Sequence, residues 1–313
     1  LKLFYLYVSN ISATIINAMR RIDPGNTPTR DLHQYLLASV APRPIAFVST
    51  ISEGGIANLA PYSFFNCFSS NPPILVFSSN RRVTDNTTKD TLANIRATGE
   101  CVIHAVSHEM VRQMAVASVE FSPDVNEFEK TGFTPIASEL VRPFRVKESP
   151  VHMECKLHDI ITLGDKGGAG HLIICNVVLM HINEAVIDER NRIDPQKLDL
   201  MGRMGRAFYV RAQGEAVLPI VQEILKPVIG YDGLPEHIKQ SKILSANNLG
   251  QLAGMEHLPN GLNMKEISEI PEVATALSDN DPKTALHKLA KQLLDEDDDR
   301  SMAASVLQLS MNL

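Results

Sequence analysis

Between Ser78 and Lys89 the sequence crowds together Ser78, Ser79, Arg81, Arg82, Thr87, Thr88 and Lys89, just where a helix is expected to begin. Hydroxyls, cations and unpaired helix N–H groups converging in one place suit a phosphate monoester. Upstream, Asn58-Leu59-Ala60-Pro61-Tyr62-Ser63 offers an amide, a hydroxyl and free backbone groups, in a segment whose Pro61 limits helix. Such a segment can hydrogen-bond a flat polar heterocycle edge-on, so one end of this region could hold a ring and the other a phosphate. No GxxxxGK[ST] or GxGxxG is present, and the phosphate would be held by hydroxyls and a helix end in place of a glycine cradle. The same residues also suit an ordinary half-buried hairpin with a solvated basic loop.

These groups need elements to position them. Ile45, Phe47, Val48, Thr50 and Ile51 suit a strand that ends at the Glu53-Gly54-Gly55 turn. Asn71-Pro72-Pro73 forces an extended entry to a second strand, ILVFSS. From Thr87 to Thr98 the spacing of Leu92 and Ile95 predicts a helix, with Thr88, Lys89, Asp90 and Thr91 in its first turn and Gly99 as its C-terminal stop. A shorter helix over Thr29 to Leu37, stopped by Pro42 and Pro44, feeds the first strand. Glu100 to Val106 reads as a strand, and Ser107 caps a helix whose apolar stripe is Val111, Met114, Ala115 and Val119. Val151 to Leu163 alternates apolar and polar residues, and the glycine-rich GDKGGAG that follows predicts an antiparallel hairpin with HLIICNVVLMHI. Beyond residue 212 the chain becomes proline- and glycine-punctuated and then helical. There Leu286, Leu289, Ala290 and Leu293 share a face, and Asp295 to Asp299 form a solvated acidic run.

RPIAFVST, GG-x-x-NLAPYSFFN, SxNPPILVFS, TTKDT and Asn94 follow one another in order, and in this combination the chain resembles the flavin reductase-like family, of the flavoredoxin type. The likeness continues more sparsely through NEFEKTGF, the hairpin around Gly164 to His171 and RMGRAFYVRA, and covers roughly residues 23 to 212. It implies a mainly β fold, an FMN-binding split β-barrel with short helices. An N-terminal extension (1–22) would precede it, and a C-terminal helical extension (213–313) with no catalytic motif of its own would follow.

The resemblance also implies a site. The isoalloxazine of FMN would lie against Asn58, Ala60, Pro61, Tyr62, Ser63 and Asn66. The phosphate would sit among Ser49, Thr50, Ser78, Arg81, Lys89 and Thr91, with Asp90 and Asn94 completing the cofactor set. Members of the family commonly carry Gly-Asp-His at the start of the second hairpin strand, where this chain has Gly168-Ala169-Gly170-His171. His171 matches by position as the catalytic histidine near flavin and nicotinamide, but the missing aspartate leaves its tautomer and role unsupported. Glu127 is a substrate-side candidate, and Arg203 and Tyr209 stand beside the flavin or pack against the barrel end. The implied activity takes hydride from NAD(P)H onto flavin and passes electrons to a second acceptor, in a homodimer with the flavin near the subunit boundary. Two alternatives stay open: a flavoredoxin-type FMN electron carrier reduced by a redox protein partner, and a protein without reductase activity.

Composition bounds the rest. At 313 residues, 44% hydrophobic, the chain can form one large domain or two smaller ones. A formal charge of −6 argues against a nucleic-acid surface. Cys67, Cys101, Cys155 and Cys175 form no CxxC pair and no Cys/His metal spacing, which fits free thiols, no metal site and a reducing cytoplasm. No paired carboxylates, Ser-His-Asp order or nucleophile elbow stands out. The first eighteen residues are apolar but broken by Ser9, Asn10, Ser12, Thr14 and Asn17, and are expected to be an extra segment and neither a signal peptide nor a membrane span.

Overall fold

The computed structural model describes residues 19–220, 226–259 and 264–313. The expectation for the N-terminal segment therefore falls mostly outside the described residues. The chain divides into two compact units, residues 1–218 and 219–313, a boundary six residues beyond the sequence expectation.

The first unit is built on a seven-stranded antiparallel sheet in the order β2-β1-β5-β8-β9-β4-β3. Its strands are β1 (Ala46–Ile51), β2 (Ala57–Tyr62), β3 (Phe65–Ser70), β4 (Pro73–Asn80), β5 (Glu100–His104), β8 (Val151–Thr162) and β9 (Gly170–Ile182). Two small two-stranded sheets pair β6 (Pro135–Ile136) with β7 (Arg145–Val146) and β10 (Leu200–Arg203) with β11 (Tyr209–Ala212). Around them lie α1 (Thr29–Ser39), α2 (Asp90–Thr98), α3 (Val111–Val116), α4 (Glu127–Thr131) and α5 (Pro195–Leu198).

β1 shows why the sheet is buried on both faces. Its side chains alternate, so Ala46 and Val48 pack with Leu92 and Ile95 of α2, while Phe47 packs with Met110, Met114 and Phe133. The β8–β9 hairpin forms as the alternation predicts, pairing Val151 with Ile182 and Thr162 with His171. Cys101, Cys155 and Cys175 lie buried in these strands as free thiols, and Cys67 is an exposed one.

Three elements differ from expectation. Asn58 to Tyr62, expected only to be non-helical because of Pro61, lies in a strand: β2 is an edge strand, where Pro61 removes no ladder hydrogen bond that a central strand would need. The helix expected from Thr87 starts at Asp90, so Lys89 is its N-cap and Thr88 lies before it. The helix after Ser107 shrinks to Val111–Val116, although Val111 and Met114 keep their core positions.

The second unit has its own apolar core. It contains α6 (Glu236–Lys239), α7 (Ala246–Ala253), α8 (Met264–Ser268), α9 (Pro271–Leu277), α10 (Pro282–Glu296) and α11 (Arg300–Leu309). Leu252, Val273, Leu286, Ala290, Leu294 and Val306 meet there, and Leu289 and Leu293 pack against them. Among the described residues, no helix is long and apolar enough to cross a membrane.

Candidate functional site

The outer strand β2 lines two open chambers. Asn58 and Ala60 border one, together with Arg82, Lys89, Asp90, Thr91, Glu127 and the segment Ala117 to Phe121. Pro61, Tyr62 and Ser63 border a second, with Ile45, Met114, Arg203 and Tyr209. Ser118 lines both, so the chambers are neighbouring parts of one cleft.

The first chamber carries the charge. Arg82 Nε donates to Glu120 Oε1 at 2.6 Å, and its Nη1 donates to both Thr87 Oγ1 and the Thr88 carbonyl. Lys89 lies over the Tyr62 ring, its Nζ 5.1 Å from the centroid, a cation–π contact. Its ammonium has no hydrogen-bond or ion-pair partner among the described residues. Burial, then the nearby Arg82 charge, lowers its pKa.

Behind Lys89 a buried polar network fixes β2 to its neighbours. Asn58 Oδ1 accepts from Thr91 Oγ1 at 2.9 Å and from Thr50 Oγ1 at 3.2 Å. Asn94 Nδ2 donates to Thr50 Oγ1 at 3.0 Å. Asn58 Nδ2 donates to Glu127 Oε2 at 2.8 Å, and the Leu59 amide donates to the same oxygen. Glu127 is only 7% exposed. Burial pushes its carboxyl up to about 7, opposed by the Leu59 hydrogen bond and reinforced by the Asp90 charge.

The second chamber is the more aromatic, lined by Tyr62 and Tyr209. The Arg203 guanidinium stacks 4.5 Å from the Tyr209 ring centroid on one wall, and Arg43 Nε donates to Ser63 Oγ at 3.4 Å. The Tyr62 hydroxyl is buried and, among the described residues, unpartnered. Burial pushes its pKa up to about 12, with the Thr91 and Ser79 hydroxyls as its nearest polar neighbours.

The structure thus brings together Asn58, Ala60, Lys89, Asp90 and Thr91 in one chamber and Pro61, Tyr62 and Ser63 in the other. Arg203, Tyr209 and Glu127 join them. Other predicted residues have internal employment. Ser49 is fully buried and donates to the Phe144 carbonyl, and Thr50 and Asn94 are absorbed in the Asn58 network, so these side chains are not open to a ligand. Ser78 donates to Asn80 Oδ1 at 2.8 Å. Arg81 is spent on Asn86, donating to its Oδ1 at 2.8 Å and its carbonyl at 2.7 Å. Asn66 is exposed on β3, outside both chambers, where its Oδ1 accepts from the Cys67 amide.

His171 is 2% exposed and lines neither chamber. Its Nδ1 lies 3.0 Å from Thr162 Oγ1 across the hairpin, and its Nε2 has no partner among the described residues. Period-two alternation puts residue 171 on the inner face with Ile173 and Cys175, which is the physical reason for its burial. The segment Ser118 to Phe121 carries no ligand-type signature in the sequence and reaches the cleft only through the turns after α3.

The sequence profile of the flavin reductase like domain matches residues 38–197. The chain belongs to the flavin reductase-like family. An uncharacterized protein of Aquifex aeolicus is 41% identical over 189 residues, which is 60% of this chain and 94% of that relative. Among solved structures, nitrilotriacetate monooxygenase component B from Bacillus cereus is 33% identical with a TM-score of 0.60, over 64% of this chain and all of that one. The 2-nitrobenzoate 2-nitroreductase of Pseudomonas fluorescens is 27% identical with a TM-score of 0.59, over 67% of this chain and all of that one. A flavoredoxin of Desulfovibrio vulgaris shares the fold at 20% identity and a TM-score of 0.50, over 66% of this chain and 98% of that one. The flavin reductase-like match lies within the first unit, whose sheet is the split-barrel sheet of this family, mainly β with peripheral helices.

Proposed function

We propose that the first unit binds FMN in the β2 cleft and works as an NAD(P)H-dependent flavin oxidoreductase. The observation that carries this is the Lys89 ammonium, held over Tyr62 with no hydrogen-bond or ion-pair partner among the described residues, where the charged chamber meets the more aromatic one. The donor set fits the group. Lys89 would take the phosphate, Asp90 and Thr91 the ribityl end, and Pro61, Tyr62 and Ser63 with the Arg203–Tyr209 stack would flank the ring. FMN, when bound, supplies the hydride and electron chemistry between NAD(P)H and a second acceptor.

The protein's own residues position and insulate. The Asn58–Thr91–Glu127 network keeps the cleft wall in one shape, Lys89 supplies positive charge, and Met114 and Ile45 give the second chamber an apolar wall. A homodimer that covers the open side of both chambers, in a reducing cytoplasm, goes with this reading. Stopped-flow bleaching of FMN with NADH or NADPH tests it. Rapid loss of the oxidised flavin absorbance is expected with at least one donor, and no bleaching with either ends the reductase claim.

The burial of His171 favours one further reading. With no histidine lining the cleft, the chain would instead be an FMN electron carrier reduced by a redox protein. Retention of FMN through gel filtration, with reduction by dithionite but not by NADH or NADPH, would select that role.

A further inference from the structure

The first chamber contains more negative charge than its phosphate role would suggest, and the decisive group is the one that accepts β2's hydrogen bonds. Arg82 and Lys89 are balanced there by Glu120 and Asp90, which leaves Glu127 to set the net charge. Glu127 sits on α4, and both of its anchoring hydrogen bonds, from the Asn58 amide and the Leu59 N–H, end on Oε2. The other oxygen, Oε1, has no hydrogen-bond partner among the described residues.

We propose that Glu127 is a positioning residue of the flavin site, whose hydrogen bonds hold the Asn58–Ala60 wall and whose charge opposes Lys89 in attracting the flavin phosphate. The inference rests on the FMN reading above. The two roles separate chemically. A carboxylic acid protonated on Oε1 still accepts both N–H groups through Oε2, so protonation leaves the wall intact and removes only the charge.

Glu127 is faced by Asp90 and Lys89 from the start of α2 and, across the chamber, by the Arg82–Glu120 pair. β2 presents it with uncharged donors only, and Arg112, the charged residue of α3, is exposed. Its raised pKa puts the change of charge near neutrality. Below that point the chamber's charges balance and Lys89 is unopposed by this carboxylate. Above it a carboxylate stands beside the phosphate, and affinity for a phosphorylated flavin drops while affinity for riboflavin, which has no phosphate, stays level.

The test is the pH dependence of flavin affinity in the full chain and in Glu127→Gln, whose amide oxygen accepts the same two hydrogen bonds without ionising. For FMN, the two proteins should bind alike at pH 5.5, and by pH 8.5 the variant should bind about tenfold tighter, a modest value for one neighbouring charge in a half-buried site. The phosphate's own ionisation is common to both proteins and cancels in the ratio. For riboflavin the ratio should stay near one throughout.

Parallel FMN profiles, or the same divergence with riboflavin, would overturn the charge assignment while leaving the FMN site standing. Absence of binding by either flavin to either protein would instead remove the site itself, and this inference with it. Should the variant fail to fold, carbon-13 carboxyl titration of the unsubstituted chain decides the matter. FMN must raise the Glu127 titration midpoint and riboflavin must leave it unmoved, because linkage is reciprocal; equal midpoints with the two flavins refute the proposal.

Discussion

At the scale of single residues, two buried titratable groups bend the stability of the first unit in opposite directions. His104 donates from Nδ1 to the Phe47 carbonyl and accepts from the Val146 amide at Nε2, a neutral imidazole with both nitrogens satisfied. Burial, then neighbouring His152, pushes its pKa down to about 3 from 6.5. The unfolded chain therefore takes up the proton first, and stability falls as pH drops from 6.5 toward 3. Glu127 works the other way. Its folded pKa of about 7 lies above the ordinary 4.5, so stability falls as pH rises between those values. Urea melts across this range should show a decline on both sides, and Glu127→Gln should remove the alkaline part alone. Glu127→Ala is a different experiment, because it strands the Leu59 N–H and the Asn58 amide in a buried place. A loss of about 1–3 kcal/mol is expected in the same melts. Lys89→Met should weaken FMN about tenfold but leave riboflavin unchanged, as befits one charge acting on one phosphate; equilibrium fluorescence titration reads both.

At the scale of elements, the cleft depends on where α2 starts and stops. Its C-cap Gly99 has φ +70°, the left-handed region, and its amide donates to the Ile95 carbonyl. Nothing lies within 4 Å of the place a Cβ would occupy. Gly99→Ala should therefore cost about 1 kcal/mol of conformational strain and no steric clash, measured as a lowered midpoint in thermal unfolding. Gly170 is the opposite case. A Cβ there would meet Ser78 Oγ at 2.5 Å, so the β4–β9 pairing beside the inner face cannot admit a larger residue without moving Ser78.

At the scale of the whole molecule, each unit has an apolar core formed from its own residues. Leu286, Ala290 and Val306 close one, and Phe47, Leu92 and Ile173 belong to the other. A chain ending at residue 218 is expected to unfold in one transition and to keep the FMN affinity of the full chain, checked by calorimetry and titration. A large loss of affinity on truncation would place part of the site in the second unit.

Local chemistry was enough for some of this. Alternation predicts the β8–β9 hairpin, because a two-residue period leaves one way to bury one face, and β-branched and aromatic residues predict the strand that ends at Glu53-Gly54-Gly55. The motif order gave the family, and Asn58, Lys89 and Tyr62 as cleft residues. What sequence could not decide was competition among polar groups. Ser49, Thr50, Ser78 and Arg81 have the right chemistry for a phosphate, yet each is claimed by Phe144, Asn58, Asn80 or Asn86, partners that only folding brings near. Glu127 gained its importance in the same way. An acid of ordinary affinity for protons in the unfolded chain becomes one that titrates near neutrality, because tertiary packing removes its water and sets Asp90 beside it.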